Sequence, residues 1–371
     1  MAEPAASSGG DLPATVGIVG AGTMGAGIGQ VALEAGCEVV FYDVDEAAVE
    51  GGRARIRDGL TRRAAKLGLE SDNADAWVTE RLERVRDVPT VDGLADEAEL
   101  VIESAMEDLA LKRTIFRTLD DVAADDVILA TNTSALSVAE IAEATSRPGR
   151  VIGLHFFNPA PVMALVEVVA PPLADPAVVA RAVAIIAAWG KTPVVCADRP
   201  GFIVNRVNRP FTIEALRILE SGAAGVTEID EALRADGFPM GPFELMDLTG
   251  IDVTLAAATG IWEGLGRPDR LRPSPIQEVL VAAGDLGRKT GQGFYRYADG
   301  KRVGENERLS TPASAEHLIA TQIRERILDG IAAEAGLAAD EGVASPELID
   351  LALRLGAGHP RGPFESRQQP S

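Results

Sequence analysis

A chain of 371 residues with 46% hydrophobic and 4% aromatic content is long enough for two or three domains with cores of their own. Its formal net charge of −21 argues against nucleic acid or an anionic membrane as a general partner. Any phosphate-bearing ligand must therefore be met by local basic residues or helix N-termini. Cys37 and Cys196 stand far apart at no metal-ligand spacing, and no apolar run reaches bilayer length. The first residues, MAEPAASSGGDLPA, carry neither the basic start nor the apolar core of a signal peptide. The expectation is a soluble, cytoplasmic protein without a disulfide framework or zinc site, opened by a disordered tail over residues 1–13.

The first element is a short β-branched strand, Thr15–Val19, which runs directly into Gly20-Ala21-Gly22-Thr23-Met24-Gly25 and a helical pattern. A second apolar strand, Glu38–Tyr42, ends on Asp43. Strand, glycine turn, helix, strand and acid stand in the order that dinucleotide binding requires. Gly20 permits the tight turn, Gly22 lets backbone approach a pyrophosphate, and Gly25 lets helix and sheet pack closely. Amides at the helix start, with Thr23 and Met24 in its first turn, can meet the phosphate charge. Asp43 can bond the adenine ribose hydroxyls and would repel a 2′-phosphate, which favours NAD over NADP.

Residues 47–69 form a helix-compatible stretch carrying Arg53, Arg55, Arg57, Arg62, Arg63 and Lys66. Such a face is either simply solvated or faces an anionic, phosphate-bearing substrate. Residues 100–103 and 127–131 read as two further parallel strands with a helix over 109–119 between them. Polar residues follow each strand: Glu107 and Lys112 after the first, Asn132, Thr133 and Ser134 after the second. These small groups can cap the next helix or bond a ligand carbonyl or ribose.

Residues 150–170 read as strand, Pro-rich turn and strand. His155, one of three histidines in the chain, closes the first strand, and Glu167 lies in the second. An imidazole within reach of a carboxylate is what a general base needs, because the carboxylate fixes the tautomer and steadies the cation. A satisfied core histidine at a strand end is the plainer alternative.

After a helix over 180–190 and a last strand over 192–196, Asp198-Arg199-Pro200-Gly201 breaks the chain and the composition turns helical. The pattern predicts one amphipathic helix over 202–219, with Asn205 and Arg206 near its start. Asn205 either caps locally or points into a cleft between domains. Glu228-Ile229-Asp230 followed by Gly241-Pro242-Phe243-Glu244 recurs as Leu348-Ile349-Asp350 followed by Gly362-Pro363-Phe364-Glu365, one residue further apart. The tail thus reads as a partial second copy of a helical domain, tethered by a polar stretch.

Residues 15–297 resemble the L-3-hydroxyacyl-CoA dehydrogenase family. The matching stretches are GIVGAGTMGAGI, VIESAMEDLALK, TNTSALSV, GLHFFNPAPVMALVEVV, DRPGFIVNRV, GFPMGPFELMD and RKTGQGFYRY, in the family's order. The resemblance implies an α/β Rossmann-like N-terminal domain over 14–199 and an all-α C-terminal domain over 200–297. A linker over 298–315 and the partial second helical domain over 316–371 would follow. It also implies NAD as cofactor and a short-chain L-3-hydroxyacyl-CoA, such as 3-hydroxybutyryl-CoA, as substrate, with the active site between the two domains.

By the same resemblance, His155 takes the proton of the C3 hydroxyl while hydride passes to the nicotinamide, and Glu167 orients the ring. Ser134 and Asn205 bond the reacting oxygen or the thioester carbonyl. Glu107 and Lys112 lie toward the nicotinamide side, and Asn132 and Ser134 also bind the cofactor. Lys66, with Arg62 and Arg63, falls in the region that touches the CoA end. The sequence departs from the family at Ala164 and in the shorter spacing between Asp230 and the first GPFE. It also continues past residue 297, as in tandem helical domains of multifunctional fatty-acid-oxidation subunits. Family dimers meet through their helical domains, so the expectation is a homodimer or a pseudo-dimeric monomer in which the second copy replaces part of a partner. An acyl-carrier-protein thioester, a free sugar acid, or a non-catalytic crystallin-like role are the competing implications.

Overall fold

The computed structural model describes residues 12–309 and 317–367. The tail expected over 1–13 therefore lies outside the described residues except at its last two positions. The chain divides into two compact units, one ending at Asp198 and one beginning at Arg199.

In the first unit β1 (Thr15–Val19), α1 (Thr23–Glu34) and β2 (Glu38–Tyr42) follow the expected order. They are followed by α2 (Glu46–Lys66), α3 (Ser71–Leu82), β3 (Val85–Asp87), α4 (Val91–Glu97) and β4 (Leu100–Glu103). The unit is completed by α5 (Leu109–Val122), β5 (Ile128–Thr131), α6 (Val138–Ala142), β6 (Val151–Phe156), β7 (Leu165–Ala170), α7 (Pro176–Ala188) and β8 (Thr192–Ala197). The segments that form α3, β3 and α4 are polar-rich and carry little periodic signal in the sequence. The eight strands form one sheet in the order β3-β2-β1-β4-β5-β6-β7-β8. Neighbours from β3 to β6 are parallel, β6 and β7 are antiparallel, and β8 is parallel to β7.

Strands buried on both faces read as continuous apolar runs, and β4 (LVIE) and β5 (ILAT) are buried at every position. The apolar core gathers Ile18, Phe41, Ile102, Ile128, Leu154 and Val168 from the strands with Ile28 and Ile56 from α1 and α2. Because β1, β4, β5 and β6 run the same way, their C-terminal ends share one edge of the sheet. Ligands of open α/β sheets bind at that edge.

The second unit contains α8 (Val204–Val207), α9 (Arg209–Glu220), α10 (Val226–Ala235), α11 (Pro242–Thr249), α12 (Ile251–Gly264) and α13 (Pro275–Ala283). A hairpin of β9 (Tyr295–Ala298) and β10 (Lys301–Glu305) precedes α14 (Ala320–Asp340), α15 (Pro346–Ala357) and α16 (Pro363–Arg367). Two expectations are corrected here. The helix expected over 202–219 is two helices broken at Asn208, because Pro210 has no N–H to continue the ladder. The linker expected over 298–315 opens with a strand: Asp299 and Gly300, both at positive φ, make the two-residue turn of an antiparallel hairpin.

The internal repeat holds in three dimensions. Asp230 accepts from the Phe243 and Glu244 amides (2.9 and 3.0 Å), and Asp350 accepts from Phe364 and Glu365 at the same distances. The extra residue of the second copy is thus absorbed in the loop without disturbing the cap. The offset that carries Asp230 onto Asp350 also carries Arg206 onto Arg326, Pro210 onto Gly330 and Glu214 onto Glu334. Arg206 Nε pairs with Glu334 at 2.8 Å, and Arg326 Nε pairs with Glu214 at 3.1 Å. A Cβ built on Gly330 would stand 3.1 Å from Pro210. Residue i meets j′ while i′ meets j, the signature of a two-fold contact, here folded into one chain.

Candidate active site

The glycine turn is pinned before any ligand arrives. Gly20 adopts φ +98°, and a Cβ there would lie 2.7 Å from the Ser104 carbonyl oxygen. Its amide donates to Tyr42 O (2.8 Å), and the Ala21 amide donates to Asp43 Oδ2 (2.8 Å). Asp43 therefore sits at the turn itself, half-buried, at the end of β2. A Cβ on Gly25 would come within 1.9 Å of Gly20 O, so helix and turn touch there. At Gly22, in contrast, a Cβ would meet nothing within 4 Å. This is open space directly ahead of the α1 N-terminus, whose first turn carries no acidic residue. Thr23 is exposed there, and Met24 packs partly against the core. The cradle fits the diphosphate of a dinucleotide: the N-terminus of α1 opens onto a place that glycine leaves empty.

His155 and Glu167 are register partners across β6 and β7. The imidazole Nδ1–H donates to Glu167 Oε2 at 2.6 Å, with the two side chains 5% and 0% exposed. A carboxylate on Nδ1 holds the proton on that nitrogen and leaves the lone pair on Nε2. Phe157 packs against the ring at a centroid distance of 4.5 Å. Asn132 holds the strand from the other side, its Oδ1 accepting from the Phe156 amide (2.8 Å) and its Nδ2 donating to Ser104 Oγ (3.4 Å). That side chain thus bonds protein groups on two neighbouring strand ends. The loop between β6 and β7 is tied by Lys191, whose ammonium donates to Ala160 O (2.6 Å) and Met163 O (2.8 Å).

The ends of β4 and β5 hold a buried polar group that sequence reading missed. Glu103, fully buried, accepts from Lys112 Nζ at 2.7 and 2.9 Å, from Thr131 Oγ1 at 2.7 Å and from the Ala105 amide at 2.6 Å. Lys112, placed by sequence toward the nicotinamide, is itself 1% exposed and directs its ammonium at Glu103 and, at 3.4 Å, at Glu107. Glu107 in turn accepts from Thr133 Oγ1 (2.5 Å) and the Ser134 and Ala135 amides (3.0 and 3.3 Å). Lys112 and Glu107 therefore fix the exposed turn that presents Ser134. The signal for Glu103 was available: an acid closing an otherwise apolar strand, with a lysine in the following helix.

The basic face of α2 divides. Arg53 pairs with Asp87. Arg55, Arg62, Arg63 and Lys66 line a cleft of about 510 Å³ together with Thr23, Gln30 and the 158–162 loop. Arg63 also pairs with Glu34 (3.2 Å) on α1. The cleft runs from the first turn of α1 to the loop that follows His155. In the second unit, Asn205 stands half-buried on α8 beside the fully buried Arg206.

A diphosphate cradle and a carboxylate-oriented imidazole on one edge of a doubly wound sheet are the parts of a nicotinamide-dependent dehydrogenase, which must remove hydride and proton from one carbinol. The chain belongs to the 3-hydroxyacyl-CoA dehydrogenase family and is an NAD-dependent oxidoreductase. Residues 15–199 match that family's NAD binding domain, and residues 201–297 and 323–368, covering both helical copies, match its C-terminal domain. Over 283 residues it is 42% identical to the mitochondrial hydroxyacyl-coenzyme A dehydrogenase of Rattus norvegicus, a span of 76% of this chain and 90% of that one. It is also 42% identical over 290 residues to the 3-hydroxybutyryl-CoA dehydrogenase of Mycobacterium tuberculosis, covering 76% of this chain and 98% of that one. The crystal structure of 3-hydroxybutyryl-CoA dehydrogenase from Escherichia coli superposes with a TM-score of 0.83 at 34% identity, over 94% of this chain and 90% of that one. Among the described residues no helix is long and apolar enough to cross a membrane.

Proposed function

We propose that the protein interconverts a short-chain L-3-hydroxyacyl-CoA and its 3-oxoacyl-CoA, with His155 as general base. The observation that carries this reading is the 2.6 Å bond from His155 Nδ1 to Glu167, which sets Nε2 as the nitrogen that takes the C3 hydroxyl proton. Glu167 then stabilises the imidazolium formed. Ser134 and Asn205 donate to the reacting oxygen or the thioester carbonyl. NAD, when bound, supplies the hydride acceptor; Gly20, Gly22, Thr23, Met24 and Gly25 would hold its diphosphate and Asp43 its adenine ribose. Glu107, Lys112 and Asn132 act one step back, by holding the strand ends and the Ser134 turn.

Thioester recognition is assigned to the cationic cleft. Lys66, Arg62, Arg63 and Arg55 outnumber Glu34 and Asp58 in a cleft of about 510 Å³, a local excess of positive charge in a chain of net charge −21. A nucleotide carrying several phosphates satisfies that charge as a discrete ligand. The deciding experiment is NADH oxidation with acetoacetyl-CoA and with the same acyl group on acyl carrier protein, with His155→Gln beside each. Turnover of the CoA thioester that disappears in the variant supports the proposal. Turnover on the carrier protein alone moves the substrate to that carrier, and failure on both with NADH binding intact overturns the catalytic reading.

The reciprocal Arg206–Glu334 and Arg326–Glu214 pairs support a further assignment, that the second helical copy occupies the surface a partner subunit would otherwise cover. The expected species is a monomer. A concentration-independent dimer in light scattering would overturn this.

A further inference from the structure

Asn205 rides on a helix of only four residues, α8, which is too short to be held by its own hydrogen bonds. It is entered through Gly201 and Phe202, both at positive φ, and ends at Asn208. Side chains of the second helical copy anchor it at Arg206 and at Asn208. Arg206, fully buried, gives Nε to Glu334 (2.8 Å) and both terminal nitrogens to Glu341 (2.6 and 2.9 Å). Glu334 is 1% exposed and also takes the half-exposed Arg270 (2.7 and 3.3 Å), so the buried Arg206–Glu334 pair is flanked by one further carboxylate and one further guanidinium. At the other end of α8, His359 Nε2–H donates to Asn208 Oδ1 at 2.7 Å.

The pseudo-two-fold supplies an internal comparison. The equivalent arginine, Arg326, is 43% exposed and pairs with Glu214, and the position equivalent to Asn205 is the exposed Glu325. The ion-pair frame is therefore present on both sides, but it is buried, doubled by Glu341 and backed by Arg270 on the side that carries the asparagine. A guanidinium held by two carboxylates is fixed in plane as well as position.

We propose that Glu334 and Glu341 of the second helical copy are positioning residues for Asn205, acting through Arg206 to set the α8 backbone. This rests on the reading of Asn205 as a substrate-side donor. Loss of either carboxylate leaves the buried guanidinium under-compensated and lets α8 rotate, while the glycine cradle and His155 lie in the other unit and are unchanged.

The test is a double-mutant cycle on the full chain with Asn205→Ala, Glu334→Gln and both together, followed with acetoacetyl-CoA and NADH. If Glu334 acts through Asn205, each single variant lowers kcat by about tenfold or more, and the double variant is no slower than Asn205→Ala alone. NADH affinity by fluorescence stays within about twofold of the parent in all three. Multiplicative losses in the double variant overturn the positioning role and leave the Asn205 reading standing. An unimpaired Asn205→Ala overturns that reading itself. If Glu334→Gln does not fold, Glu341→Gln at the more exposed partner carries the same cycle, and unchanged kcat there sinks the proposal.

Discussion

His155 and Glu167 face one another across the strand pair at which the sheet reverses direction, and their 2.6 Å bond is made by β-sheet register alone. Antiparallel pairing sets opposed residues at fixed spacing. A slip of one residue would turn Glu167 to the other face of the sheet. The proposed base is therefore oriented by paired strands of the sheet, with both side chains buried.

The first prediction concerns that pair. His155→Gln removes the proton acceptor and should lower kcat by about 10²–10⁴ with NADH affinity unchanged. Glu167→Gln should be almost as damaging, because its amide can donate to Nδ1 and drive the proton onto Nε2, the nitrogen that must accept. A loss of about 10²–10³ in kcat is expected. Stopped-flow reduction of acetoacetyl-CoA, with NADH binding by fluorescence as control, checks both. A Glu167→Gln enzyme of near-parental rate would remove the tautomer argument.

Two glycine substitutions separate folding from cofactor binding. Gly22 has φ −66° and open space at its Cβ position, so Gly22→Ala should cost no more than about 1 kcal/mol of stability at this N-cap. Its methyl nevertheless enters the diphosphate space, and NADH affinity should fall at least about tenfold, or about 1.4 kcal/mol. Gly20→Ala meets both a positive φ and the Ser104 carbonyl, and should lose stability and binding together. Paired melting curves and NADH titrations distinguish the two.

Lys112 is expected to be a stability residue before it is a cofactor residue. Lys112→Met strands the fully buried Glu103 carboxylate and should destabilise the protein by about 3–5 kcal/mol. Adding Glu103→Gln should recover much of that loss, since the pair as a whole is worth less than either half left alone. Urea unfolding of both variants reads the difference, and two equally unstable variants would contradict it.

His359 should make stability depend on pH. Burial pushes its imidazole from an ordinary 6.5 down to about 4, so the folded chain resists a proton that the unfolded chain accepts. Its stabilising contribution is complete above the unfolded value and is lost as pH falls through about 4, amounting to about 3 kcal/mol. Asp230, pushed up to about 7 chiefly by burial, works in the opposite sense, its contribution being lost as pH rises through that value. The comparison is therefore made against His359→Gln, which cannot titrate. The parent should lose its advantage over that variant between pH 7 and pH 4 in denaturant melts, and parallel pH profiles would refute it.

Much of the chemistry is legible in the residues because it is local. The strand, glycine turn, helix and acid lie within thirty or so residues, and their order alone implies a phosphate cradle. The GPFE repeat is visible because each copy keeps the Asp that caps its own helix. The Asp299-Gly300 hairpin is equally local, but its polar flanks resemble linker composition. Glu103 was not singled out because its partners, Lys112 and Thr131, come from a helix and a neighbouring strand.

The sequence by itself determined the first strand, glycine turn, helix and second strand, the cofactor class and the GPFE repeat, since these follow from backbone preference, spacing and side-chain chemistry. Only the tertiary structure decided that β6 and β7 pair with His155 opposite Glu167, that Lys112 faces inward, and which of the α2 cations share a cleft. It alone decided that Arg206 is claimed by Glu334 and Glu341, more than a hundred residues away. Register, burial and charge pairing depend on which segments meet after collapse, and one-dimensional spacing does not encode the partner of a buried charge.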